Sequence, residues 1–148
     1  MLRRILIPLC MVFSFIPFAA HGDGPAVAAS HVWIREAPAG VSVMTGYMTL
    51  ENLSAQTLTL VSVTSPDFRS VIVHKRVQKN GMGSMQPVAR IAIPAHQSFV
   101  LAPGGYHLML MKPVKRLYDG DLVTLMLTFS DHSSLTIMAP VRRDQPQY

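Results

Sequence analysis

GGYHLMLMK, residues 104–112, follows a Gly-Gly turn with a run of strictly alternating character. In an extended strand successive side chains point to opposite faces, so Tyr106, Leu108 and Leu110 share one face and His107, Met109 and Met111 the other. The first set suits the inside of a β-sandwich. The second places one imidazole and two thioethers side by side on the outside of the same strand, which core packing alone does not call for.

The rest of the chain carries the same two-residue period in short runs. HVWIREA (31–37), VMTGYMTLEN (43–52), TLTLVSVTS (57–65) and RSVIVHKRV (69–77) come before the Asn80-Gly81 hairpin signal. MGSMQPV (82–88), RIAI (90–93) and QSFVLAP (97–103) lead to the quoted stretch, and LVTLMLTFS (122–130) and SLTIMAPV (134–141) follow it. Breakers lie between them: Pro38-Ala39-Gly40, the Asn52–Gln56 turn, Ser65-Pro66-Asp67 and Asp119-Gly120. No segment sustains a 3.6-residue period, so the chain is predicted to be all-β, a sandwich or barrel of eight or nine strands. One domain is expected over residues 30–140, with a polar tail over 141–148. Charged residues make up 14% and apolar residues 49% of the 148, enough apolar material for a packed core.

MLRR followed by ILIPLCMVFSFIPFAA reads as a secretory leader over residues 1–22, with cleavage as late as residue 28. Pro8, Pro17 and the short apolar run count against a membrane-spanning helix. Cleavage after Gly22 removes Arg3 and Arg4, leaving 11 basic against 8 acidic residues. These are scattered along the sequence, with no basic stripe of interleaved aromatics, so nucleic acid is not an expected partner. Cleavage also removes Cys10, the sole cysteine. The secreted protein then has no thiol nucleophile, no Cys-x-x-Cys redox chemistry and no blue-copper centre. No Ser-His-Asp nucleophile motif, phosphate loop or HExxH is present, so no enzyme is expected.

A second cluster, VHKRVQKNGMGSM (73–85), resembles the first in kind. His74 ends an apolar run, and Met82 and Met85 lie just past the Asn80-Gly81 turn. A hairpin there can carry Met85 back toward His74, since antiparallel partners face one another at about 5 Å. Thioether sulfur is soft and uncharged and imidazole is borderline, so two of each favour Cu(I) over oxygen-seeking ions. Methionine cannot form a disulfide and keeps its ligand role in an oxidising compartment, although sulfoxide formation would damage it.

His74, ten residues, Met85, twenty-one residues, His107, one residue, Met109: this H-x10-M-x21-H-x-M spacing resembles that of the periplasmic copper chaperones called PCu(A)C, the DR1885-like group. GYMTLEN (46–52), PGGYHLMLM (103–111) and YDGDLVTLMLTF (118–129) look like further blocks of that family, so the resemblance covers about residues 31–140. It implies a cupredoxin-like Greek-key β-sandwich. It implies one Cu(I) per chain, held by His74, Met85, His107 and Met109 in a periplasmic monomer. It also implies copper delivery to the CuA centre of a haem-copper oxidase subunit, alongside a Sco-type thiol chaperone. One departure stands out. The family commonly has acidic residues or further methionines around the first histidine, whereas Lys75, Arg76 and Lys79 surround His74 here, a rim suited to an acidic partner. The tail RRDQPQY has neither His nor Met, so no second tail site is expected.

The other candidates have plainer readings. Met111 is wall or core, and Met82, outside the four-ligand set, is the alternative thioether, with Gly81 and Gly83 making its loop adaptable. Met44, Met48, Met126, Met138 and Trp33 are expected in the core. His31, His96 and His132 are expected at the surface, and Asp119 and Asp121 belong to a turn. A copper buffer needs the same four ligands as a chaperone, and a structural sandwich with incidental His and Met is the remaining alternative.

Overall fold

The computed structural model describes residues 26–79 and 81–147. The leader, Cys10 and the Gly22 cleavage point lie outside the described residues. Ten strands form, one or two more than expected, with no helix among the described residues. They are β1 Val27–Arg35, β2 Val43–Asn52, β3 Leu58–Thr64, β4 Phe68–Lys79, β5 Met82–Pro87, β6 Ile91–Ile93, β7 Ser98–Leu101, β8 Tyr106–Pro113, β9 Leu122–Phe129 and β10 Ser134–Arg142. One layer runs β5-β4-β8-β2-β1, with β7 extending β2, and the other runs β10-β9-β3-β6. Parallel pairing of Ile34 with Val141 and of Arg35 with Arg142 links the layers at β1 and β10.

Both ends of the domain extend beyond the expected bounds. Val27–Ser30 pair with Asn52–Thr49 as the start of β1, which the Ala-rich sequence did not signal. A one-residue register shift follows, and His31, at φ 51°, sits in that bulge. Cleavage at residue 28 would remove the first two residues of the strand, Val27 among them, which is buried. At the other end Val141 is fully buried in β10, so the polar tail starts at Arg143 rather than at residue 141.

The core lies between the layers. Leu108 and Leu110 of β8, Met44, Met48 and Leu50 of β2, and Leu125, Leu127 and Phe129 of β9 are among its buried members. Full burial of such a side chain contributes about 1.5–3 kcal/mol. Met126 and Met138 are not in this core, contrary to expectation. They are 39% and 53% exposed, because both stand on the outer face of the β9–β10 ladder, where Met138 lies opposite Thr124. His96 and His132 are exposed at left-handed turn positions, as expected of surface residues.

Two positions hold the site-bearing layer in register. Gly46 of β2 faces Leu108, and a Cβ there would lie 3.3 Å from the Leu108 Cβ and 3.2 Å from Leu110 Cδ1. Asn52, fully buried at the end of β2, donates from Nδ2 to the carbonyls of Gln56 (2.7 Å) and Ile93 (2.9 Å), while its Oδ1 accepts from Ser54. It thereby ties the 52–56 turn to β6. Gly46→Val is expected to cost about 1–3 kcal/mol by overpacking, and Asn52→Ala about 1–3 kcal/mol by stranding buried carbonyls. Urea unfolding of the two variants checks both values.

Candidate metal site

His74 and His107 are direct register partners on the antiparallel strands β4 and β8. Their rings stand side by side, with centroids 6.1 Å apart and planes inclined at 35°. Pairing puts both on the outer face of the layer, since the inner face at this level is formed by Val73 and Leu108. His107 is nevertheless only 5% exposed. The outer face of the same layer also carries an aromatic cluster that the sequence did not reveal. Trp33 pairs with Tyr47, their rings 4.8 Å apart, and both are buried on the outer face, away from the inter-layer core. The β2–β8 pairing ends at Gly46–Leu108, with Tyr47 and His107 each the next residue along its own strand. Trp33 is thus buried as expected, but in this outer cluster. Alternation along VMTGYMTLEN, with Tyr47 out of phase with Met44 and Met48, was the available signal.

The imidazole nitrogens define the chemistry. His107 Nδ1 is 3.1 Å from the Gly105 carbonyl, which can only accept, so Nδ1 carries the proton and Nε2 presents a lone pair. That Nε2 is buried without a hydrogen-bond partner, and so is Nδ1 of His74. Leaving such an atom unsatisfied costs about 1–3 kcal/mol, and a ligand would remove that cost. Burial, and secondarily the nearby His107, lower the pKa of His74 from the ordinary 6.5. The ring is therefore held in its neutral, electron-donating form.

The thioethers occupy the same face. Met109 lies two residues beyond His107, half-buried, with Ile72 of β4 and Thr45 of β2 on either side. Met85 of β5 is paired with Arg76, not with His74, whose direct partner is Pro87. His74 lies from Met85 along the diagonal of the ladder, a typical spacing of about 7–8 Å that is within the span of a long side chain, and Met85 is 51% exposed. The strand order β5-β4-β8 brings all four sequence-predicted residues onto one patch. Met111 is the next outer residue of β8, half-buried between Ser70 and Val43, in keeping with a wall. Met82 pairs with Lys79, three residues from Met85, and so belongs by alternation to the opposite face. Among the described residues no three His, Asp, Glu or Cys converge, so the donors available here are the two imidazoles and the sulfurs beside them.

Residues 27–141 match the family described as "Putative lipoprotein LpqE-like". A curated relative from Leifsonia xyli subsp. xyli, named "Putative lipoprotein Lxx21020", is 32% identical over 142 residues, covering 93% of this chain and 84% of its own length. The copper-bound PCuAC domain from PmoF2 shares the fold at a TM-score of 0.68 and 27% identity, over 80% of this chain and 94% of that one. The Cu(I)-bound solution structure of DR1885 from Deinococcus radiodurans does so at 0.67 and 28%, over 85% of this chain and 84% of that one. The expected cupredoxin-like β-sandwich is therefore the fold of this chain. With the match running from the first residue of β1 to the last but one of β10, the chain belongs to the LpqE-like family, the PCuAC-like group of proteins.

Proposed function

We propose that this chain is a copper chaperone that carries one Cu(I), held by His74 Nδ1, His107 Nε2 and the sulfurs of Met85 and Met109. The observation that carries the reading is the pair of partnerless, buried imidazole nitrogens on facing strands, with thioethers on the same face. The copper-bound PCuAC domain of PmoF2 and Cu(I)-bound DR1885 support it as structural relatives. All four donors are neutral, so the metal keeps its positive charge, and exchange onto a more strongly donating acceptor is favourable. Exposed Met85, on the outermost strand, is the ligand best placed to leave first. The imidazoles, with buried nitrogens on paired strands, stay in place and hold the ion. The proposed cargo route begins outside the cytoplasm, in the periplasm, after removal of the leader. It ends at the CuA centre of a haem-copper oxidase subunit, with a Sco-type thiol chaperone acting beside it.

Competition titration under reducing conditions tests the binding step. One Cu(I) per chain is expected, and His107→Ala or Met109→Ala should weaken binding at least about tenfold, equivalent to about 1.4 kcal/mol. Met82→Ala should leave it unchanged. Equal binding after loss of both His107 and Met109 would sink the assignment. Delivery is tested separately: deleting the gene should lower oxidase activity at limiting copper.

His74 gives the pH dependence. Its pKa is lowered in the fold, so below about 6.5 the unfolded chain takes up a proton that the folded chain resists. Stability is then full above 6.5 and falls as the pH drops through the folded pKa. Proton NMR titration of the apo protein should place the His74 midpoint below 6.5. His107→Ala should move it only part of the way back, because burial is the larger cause.

A further inference from the structure

The Lys and Arg residues look scattered along the sequence, but their setting is one-sided. No acidic residue lies between Asp67 and Asp119, a stretch that holds eight of the chain's 13 basic residues. That stretch contains β4, β5 and β8 entire, so the patch bearing His74 and His107 carries no carboxylate of its own strands. The ion pair found among the described residues, Arg143 with Glu36, belongs to other elements.

At the rim of this region β5 is the open end of the layer. Its six residues are all exposed, and among the described residues β4 is the strand that pairs with it. Hydrogen bonding alternates along β4. Arg76 N bonds to Gly105 O on the β8 side, whereas Val73 O accepts from Val88 N on the β5 side. Odd-numbered residues of β4 therefore bond toward β5, and their partners there are Ser84 and Gln86. The backbone groups of Gly83 and Met85 point the other way, off the edge, while Pro87 has no N–H to offer. Such an unpaired row is a template for an added strand. The opposite edge, β6, is three residues long with two of them buried, and offers no comparable length.

Arg76 brings charge to this edge. A Cβ on Gly83 would lie 3.4 Å from both Nε and a terminal guanidinium nitrogen of Arg76, so the Arg76 side chain crosses from β4 over β5 in the space that Gly83 leaves free. We propose that β5 is a docking edge: an extended, acidic segment of the metal-accepting protein adds alongside it, pairing with the backbone of Gly83 and Met85 and neutralising Arg76. That the partner accepts metal rests on the copper reading above; the pairing itself does not. Because Met85 belongs to the same strand, docking would bring the acceptor's donors beside the most exposed ligand.

The test uses apo protein, so that it does not depend on copper. The probe is a nine-residue peptide alternating Glu with Val and Thr, with a Lys-for-Glu peptide and phosphatidylglycerol vesicles as separate arms. The acidic peptide should shift and protect the Gly83 and Met85 amides in nitrogen–proton NMR spectra, and Arg76→Gln should weaken it about tenfold. Gly83→Pro, tolerable on an edge whose N–H faces solvent, should weaken it as well. Equal binding of the Lys peptide, shifts confined to other strands, indifference to Arg76→Gln, or binding of vesicles in place of peptide would each overturn the proposal. A protein that binds Cu(I) but not the peptide would lose the docking edge and keep the copper reading.

Discussion

The facing pair of His74 and His107 sets the terms for the outer surface of this protein. The two residues are held opposite one another by the β4–β8 ladder, so their backbones cannot move apart without breaking strand pairing. Each buries a nitrogen that no protein group satisfies. Two such atoms together cost the fold an amount comparable with a sizeable fraction of a domain's net stability. A structural role would be served more cheaply by apolar residues at these positions, which argues that the arrangement is retained for a ligand.

Packing on the hidden face is what makes that arrangement rigid. The side-chain period of a strand is two, so a slip of one residue between β8 and its neighbours would exchange the His-Met row with Leu108 and Leu110. Gly46 opposes such a slip, because Leu108 and Leu110 pack into space that a Cβ at that position would contest. On the outer face Trp33 and Tyr47 bury one another's rings, and Arg35 lies 5.4 Å above the Trp33 ring. Rigid imidazoles held at the junction of two strands contrast with the half-exposed Met85 on the edge strand. One part of the patch is preorganised and the other can move, a division suited to holding an ion and then releasing it.

Much of this was legible in the sequence because β-strands report their faces through simple alternation. The quoted run around His107 assigns every side of β8 correctly, and the turn signals locate nearly all the strands. What escaped had physical reasons. The start of β1 is built of Ala and Ser, whose small side chains carry little strand signal, and it is interrupted by a bulge at His31. Met126 and Met138 follow the same alternation that places Leu125 and Leu127 inside, but an apolar residue on an outer face cannot be told from a core residue by its type alone. Register was the other hidden quantity. The Asn80-Gly81 turn was expected to carry Met85 back toward His74, and the hairpin aligns it with Arg76, two residues from His74 on the same face. That Trp33 and Tyr47 stack on the outer face depends on pairing between two strands, and no local pattern states it.

The charge around the patch bears on which metal the proposed site would take. A divalent ion gains most from carboxylates, and β4, β5 and β8 have none to offer. Arg76 on the same face repels a doubly charged ion twice as strongly as a singly charged one at the same distance. Affinity must then come from covalent softness rather than from charge, and thioether sulfur supplies that to Cu(I) far better than to Zn(II), Ca(II) or Mg(II). Selectivity would thus arise as much from what the surface withholds as from the donors it presents. The same withholding leaves a net positive patch whether or not a metal is bound, so the surface that rejects hard cations is also the one that an acidic acceptor would find attractive.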